Sequence, residues 1–295
     1  MNKQRGPIIN RQNEQSNQTD SLKNTKNLRE WHGYGMFIRE SKILIMVYGY
    51  IRVSSDKNLL LIISIMSTFE QIAQYQEGIG KTVQKLRAKV LDLAIHGKLV
   101  PQDPNDEPAA ELLKRIAPHA TPCDTSHYEN LPQGWCILTV GEVADYINGR
   151  AFKPSEWEKH GLPIIRIQNL NDGDASYNYS TAKFEDKYLI HNGDLLFAWA
   201  ASLGTYIWQK DDAWLNQHIF KVIPKPFILR DFLYYSFINM IDDFYAESHG
   251  TGMVHITKGK FEKRPIYIPP IKEQQRIVDK IRLVLFSLDT ITAEL

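Results

Sequence analysis

Cysteine is close to absent from this chain. Cys123 and Cys136 are its two thiols among 295 residues, which excludes a disulfide framework and the small secreted scaffolds that depend on one. A dominant charge is missing too: Lys and Arg number 35 against 34 Asp and Glu, so the chain is neither a bulk basic coat for nucleic acid nor an acidic solvating polymer. Long apolar runs are also lacking. Ile43 to Ile51 and Leu59 to Met66 are separated by Arg52, Ser54, Ser55, Asp56, Lys57 and Asn58. Each is too short to cross a hydrocarbon layer of ~30 Å at about 1.5 Å per residue, so neither a membrane span nor a signal segment is expected. His119, Cys123, His127 and Cys136 are the available metal ligands, but they are spread irregularly through a proline-containing stretch. A solvated linker with no metal is the expectation. What remains is a cytoplasmic protein of one or two domains with a sizeable core.

The near balance of charge hides an asymmetry. Residues 1–65 hold ten Lys and Arg and five Asp and Glu, which by subtraction from 35 and 34 leaves 25 against 29, a net of −4, for the rest. Affinity for phosphates, which grows with the number of counterions released, must then come from local charge. Lys258, Lys260, Lys263 and Arg264 against Glu262 alone supply it. Residues 1–65 read differently from the remainder: Asn2 to Asn27 is rich in Asn and Gln, has too few apolar groups for a core and is expected to be disordered.

His249 to Val278 reads HGTGMVHITKGKFEKRPIYIPPIKEQQRIV. Gly250 and Gly252 permit close backbone approach, and Thr251, His255, Thr257, Lys258, Lys260 and Lys263 surround them with hydroxyl, imidazole and ammonium donors suited to phosphate oxygens. Ile266, Tyr267 and Ile268 form a short strand that Pro269 and Pro270 end. A helix follows. From Ile277 the residues Ile281, Val284, Leu288, Ile291 and Leu295 recur at steps of four and three, the spacing of a coiled-coil seam. Phe69, Ile72, Gln76, Ile79, Val83, Leu86, Val90 and Leu93 repeat that spacing earlier, up to a helix cap at His96 and Gly97. Two such helices want partners. Ordinary amphipathic helices on a globular core are the alternative.

Between the seams the pattern is mixed. Leu162 to Ile167 reads as a buried strand carrying Arg166, followed by an amide-rich turn of Gln168, Asn169, Leu170, Asn171, Asp172 and Gly173. Asn and Gln side chains can read adenine edges and Arg guanine edges in the major groove, or they can satisfy the turn's own backbone. Asp194 to Trp199 is a second apolar strand, and Ala200, Ala201, Ser202, Leu203 and Gly204 make a small-residue loop that another backbone or DNA can approach. Asn216, Gln217 and His218 precede a strand ended by Pro224, with His218 favoured as a structural residue. The aromatics of Asp231 to Ala246 fall at helical spacing and are expected to pack on the sheet.

Lys85 to Ile116, LPQGW (Leu131 to Trp135), GDLLFAWAASLGTYIW (Gly193 to Trp208), LNQHIFKVIP (Leu215 to Pro224) and HGTGMVHITKGKF, in that order, resemble the DNA-specificity subunit of type I restriction-modification systems. The resemblance runs from about Met66 to Leu295. It implies an α/β fold, a mixed α+β target-recognition domain flanked by long coiled-coil spacer helices. The expected boundaries are a poorly matched extension at 1–65, with Met66 as the natural start, a spacer helix at 66–97, a linker with a short helix at 98–130, a recognition domain at 131–270 and the start of a second spacer helix at 271–295. In that family two recognition domains each read half of a bipartite DNA target. Their helices dock modification subunits. This chain shows one such domain, so it is either a half subunit that pairs with a second copy or another half, or a truncated product.

The resemblance also implies a non-catalytic role. Modification subunits would bring S-adenosylmethionine and methylate adenine, and a restriction subunit would bring ATP-driven translocation and magnesium-dependent cleavage. The residues agree: no glycine-rich cofactor loop with an Asn/Asp-Pro-Pro-aromatic motif is present, and Asp174 with Glu185, Asp186 and Lys187 is a weak approximation to a nuclease site. The candidate DNA contacts are Thr251, His255, Lys258, Lys260 and Lys263 for the backbone, with Arg166, Gln168, Asn169 and Ser202 for bases or groove. The candidate seam contacts are Ile72, Ile79, Val83, Leu86, Val90, Ile277, Ile281, Val284 and Leu288. An interaction protein that docks through its helices without reading DNA is the other class.

Overall fold

The computed structural model describes residues 56–120, 122–123, 131–248 and 256–293. The chain divides into two compact units, Met1–Tyr75 and Gln76–Leu295. Residues 1–55 lie outside the described residues, and with them the disorder expected of Asn2 to Asn27. Helix α1, Asp56–Ile95, is continuous through both apolar Leu59 to Met66 and the segment behind it. Helix is thus already present at Asp56, ahead of Met66, because an Ile- and Leu-rich run joined without a proline to a periodic helix extends it. Its end follows the cap that Gly97 signals. Gly97 takes φ +65°, the Gly97 N–H donates to Ala94 and the Lys98 N–H to the Leu93 carbonyl at 2.8 Å, which satisfies two carbonyls of the last turn.

After a short helix α2, Ala109–Ile116, strand β1, Cys136–Thr139, opens the body of the second unit. It pairs antiparallel with the last strand, β10, Pro265–Ile268, in the register Cys136 to Ile268. A four-residue helix α3, Val140–Val143, leads into β2, Ala144–Asn148. Then come β3, Leu162–Ile165, helix α4, Ile167–Asn171, and β4, Asn178–Ser180. Strands β5, Leu189–Ile190, β6, Leu195–Ala198, β7, Gly204–Ile207, β8, Ala213–Leu215, and β9, Ile219–Pro224, complete two further sheets. One has the order β2-β9-β6-β7 and is antiparallel throughout. The other has the order β4-β3-β8-β5, in which β3 and β8 run parallel.

Helix α5, Arg230–Ser248, carries the expected aromatics onto the sheet: Phe232, Phe237 and Phe244 are buried. Phe237 and Phe244 meet Phe261, from a short helix α6, Lys258–Glu262, whose ring lies 4.5 Å from Phe197, 5.6 Å from Phe237 and 5.7 Å from Phe244. Rings at such separations add to the area they bury by about 0.5–1.5 kcal/mol per pair. This aromatic core holds α6 down on the β2-β9-β6-β7 sheet.

The last helix, α7, Ile271–Ala293, packs against the lower part of α1. His96 and Tyr267 rings are 5.6 Å apart while Arg87 pairs with Asp289, so the two helices run antiparallel. On α7 the expected seam residues Ile277, Ile281 and Leu288 are buried and Val284 is half-buried. On α1 the seam differs. Val83 is buried and Ile79 and Val90 are half-buried, but Leu86 and Ile72 are each 47 % exposed, and the buried positions nearer the cap are Leu91, Ala94 and Ile95. The contacting face turns by one residue, from Leu86 to Arg87 and from Leu93 to Ala94, because a helix packed on a domain buries a stripe wider than a two-residue seam.

Candidate nucleic-acid interface

Four strand ends meet at one edge of the body. Beyond β3 and β8 the Asn216 N–H donates to the Ile165 carbonyl at 3.1 Å, and the Arg150 N–H, just past β2, donates to Leu215 at 2.9 Å. Gln217 N–H returns a bond to the Arg150 carbonyl at 2.9 Å, and Trp199 N–H, just past β6, donates to His218 at 3.0 Å. The Ile256 N–H closes the group on the Trp199 carbonyl at 3.1 Å. Crowding there leaves no latitude at Gly149: a Cβ would fall 2.0 Å from the Asn216 carbonyl oxygen. Two residues other than glycine hold left-handed backbone at the same edge, Ala201 at φ 59° and His218 at φ 73°. Such strain persists where the surroundings over-determine it, and it concentrates at functional sites.

The side chains at this edge divide into those already engaged and those that are not. Arg150 is engaged. Its guanidinium donates to both oxygens of Glu156 at 2.9 and 2.5 Å and lies 4.3 Å from the Phe184 ring and 4.8 Å from Phe152. The Arg150 hydrogen bond, helped by the Lys153 N–H, holds the Glu156 carboxyl at about 2. Trp199 donates its indole N–H to Asn148 Oδ1 at 3.1 Å and sets its ring 4.9 Å from His218.

Asn169, expected among the base contacts, is a strut of its own turn. It is 4 % exposed, its Oδ1 accepts the Arg166 N–H, and its amide donates to the Ala175 and Ser176 carbonyls. With every polar atom committed it has nothing left for a base. Those bonds also explain why the expected turn at 168–173 begins as the helical turn α4. Gln168 beside it is exposed, and its side chain makes no hydrogen bond among the described residues. Arg166 is half-buried, with its guanidinium 5.8 Å from the Trp157 ring and its Nε buried without a hydrogen-bond partner. Ser202 is half-buried beside Ala201, its N–H given to Ala200.

Thr251 and His255 lie outside the described residues. The three lysines are on or next to α6, whose first turn Thr257 caps by accepting the Lys260 N–H. All three are exposed. Lys258 reaches Glu262 at 3.4 Å, whereas Lys260 and Lys263 make no ion pair among the described residues. Arg264, counted above in the local positive charge, is spent on Glu247 at 2.6 Å and Asp243 at 3.2 Å.

Two residues that join the body to α7 were not singled out by the sequence. Gln274 is fully buried: its amide donates to the Phe227 and Pro269 carbonyls, each at 3.0 Å, and its Oε1 accepts the Leu229 N–H at 2.8 Å. Glu273 is 1 % exposed and accepts the indole N–H of Trp135. The signal was present, since Gln274 continues the seam of Ile277 and Ile281 backwards by three. Cys123 donates its N–H to Ile137, next to Cys136, and burial pushes the Cys136 thiol up to about 12. No group of three metal ligands occurs among the described residues, His127 lying outside them.

The family model of the type I restriction modification DNA specificity domain matches residues 132–294. The chain belongs to this family. Among relatives in the DNA-specificity family, the type I restriction enzyme EcoAI specificity subunit of Escherichia coli is 30% identical over 236 residues, covering 68% of this chain and 39% of its own length. The EcoEI specificity subunit of the same organism is 30% identical over 249 residues, covering 70% of this chain and 40% of its own. The chain thus spans about 40% of the length of these specificity subunits. A chain from the solved structure of complex assembly and conformational transition of the type I R-M system shares the fold, with a TM-score of 0.50 at 18% identity over 78% of this chain and 53% of that one. Among the described residues no helix is long and apolar enough to cross a membrane.

Proposed function

We propose that this chain is a non-catalytic specificity subunit that recognises a double-stranded DNA sequence and directs partner subunits to it. The observation that carries this reading is the edge where β2, β3, β6 and β8 end together, rigid in its backbone and rich in amide and cationic side chains, in a chain of the DNA-specificity family. Rigid main chain with projecting polar groups is what base readout needs, and Lys260 and Lys263, on and next to α6, supply local charge for the phosphates. The body reads one half of a bipartite target. A second copy or another half supplies the rest.

Modification and restriction belong to the partners, which bring S-adenosylmethionine, ATP and magnesium, and the complex acts in the cytoplasm. Docking on the modification subunits runs through α1 and α7, a reading supported by the apolar side chains they leave exposed: Leu86, Leu283, Phe286 and Ile291. Single-molecule sequencing of methylated adenines, in cells carrying the cognate modification subunit with and without this chain, tests it. A bipartite motif that needs the chain is the expected result, and a palindromic one means that two copies pair. No new motif, despite co-purification with the modification subunit, overturns the reading in favour of a docking protein that reads no DNA.

A further inference from the structure

Two neighbouring amide pairs follow the ends of β3 and β8, and in each the asparagine engages the main chain while the glutamine is exposed. In Gln168–Asn169 the asparagine is consumed by the backbone, as described above, and the glutamine is exposed. In Asn216–Gln217 the Asn216 Oδ1 accepts the Gln217 N–H at 2.7 Å, and Gln217 is exposed with no side-chain hydrogen bond among the described residues. One member of each pair freezes the main chain. The other stands free on it.

The two free glutamines sit beyond the carboxyl ends of β3 and β8, the parallel neighbours of this fold, paired Ile164 to Trp214 and Ile165 to Leu215. The Asn216 N–H on the Ile165 carbonyl carries that alignment one residue past the end of β8. Gln217 is held at its N–H by both Arg150 and Asn216, and the next residue, His218, is locked in left-handed backbone with its carbonyl on Trp199. Two buried nitrogens without hydrogen-bond partners flank the pair, Arg166 Nε and His218 Nδ1. Buried polar atoms are rarely left unsatisfied, so Arg166 Nε calls for an acceptor and His218 Nδ1 for an acceptor or a donor according to its tautomer, from water or from a ligand.

Resting on the DNA-recognition reading, we infer that Gln217 is a specificity-determining residue that reads the major-groove edge of an adenine. A glutamine amide donates to adenine N7 and accepts from adenine N6–H, a pairing that no other base satisfies in full. The fixed backbone on both sides makes the pairing selective, because a loop free to adjust would accommodate other edges.

The experiment is adenine-methylation sequencing with the cognate modification subunit and the full chain, as wild type, Gln217→Ala and Gln217→Glu. Expected for Gln217→Ala is a motif degenerate at one adenine and unchanged elsewhere, with discrimination there reduced about tenfold. Gln217→Glu keeps the shape and removes the donor, so preference at that base moves toward cytosine, whose N4–H donates to a carboxylate. Variants that methylate the wild-type motif at wild-type occupancy, or lose all sites alike, overturn the inference alone. A wild-type chain that adds no motif overturns the recognition reading, and this inference with it.

Discussion

Trp135 and Glu273, 138 residues apart, meet in the interior: the indole N–H donates to Glu273 Oε2 at 3.1 Å, while Glu273 Oε1 is buried with no hydrogen-bond partner. Desolvation raises the carboxyl above the ordinary glutamate range, against the opposing pull of the Trp135 bond and of Arg276, with Asp106 adding to the rise. A group whose folded pKa is raised contributes stability below its unfolded pKa of ~4.3 and loses it as pH climbs through the folded value. Glu273→Gln therefore flattens the fall in melting temperature between acid and neutral pH. Thermal melts across that range check this, and an unchanged pH profile would show that the carboxyl is not strained by its burial.

Gln274 is the next residue and makes the opposite kind of joint. Replacing it with Ala leaves the Leu229 N–H and the Phe227 and Pro269 carbonyls unpaired in the interior. Each orphaned group costs about 1–3 kcal/mol, so Gln274→Ala is expected to destabilise the folded chain by roughly 3 kcal/mol or more. Denaturant unfolding measures it. A loss under about 1 kcal/mol would mean that water takes over those bonds.

Lys260 and Lys263 are exposed and free of ion pairs among the described residues, and the proposed function has them contact phosphates. The double change to Ala should weaken binding to matched and mismatched duplexes alike and lower the slope of log affinity against log salt by about 1.8, near 0.9 per phosphate. Fluorescence anisotropy over a salt series reads this slope. An unchanged slope removes both lysines from the interface.

Much of this architecture was legible in the chain. Apolar periodicity located α7 and the lower half of α1, prolines ended β9 and β10, and Gly97 marked a helix end, because each signal is local. The packed face of α1 was displaced because Leu86 and Arg87 lie on adjacent sides of one stripe, and which side is buried depends on α7, far away in sequence. Asn169 and Gln168 are equivalent as letters. Only the positions of the Ala175 and Ser176 carbonyls decide that one is structural and the other free. The site as a whole was not legible, since Arg150, Gln217 and Trp199 are united by backbone hydrogen bonds between strands, for which sequence carries no pattern.

Strand β1 begins the body and β10 ends it, and the two lie side by side in register. Everything between them is a closed excursion that leaves and rejoins the helical frame at one place, with Trp135, Glu273 and Gln274 as its clasp. Because the two ends of the body are neighbours, a change in the length or course of the chain between them leaves the spacing of the flanking segments as it is.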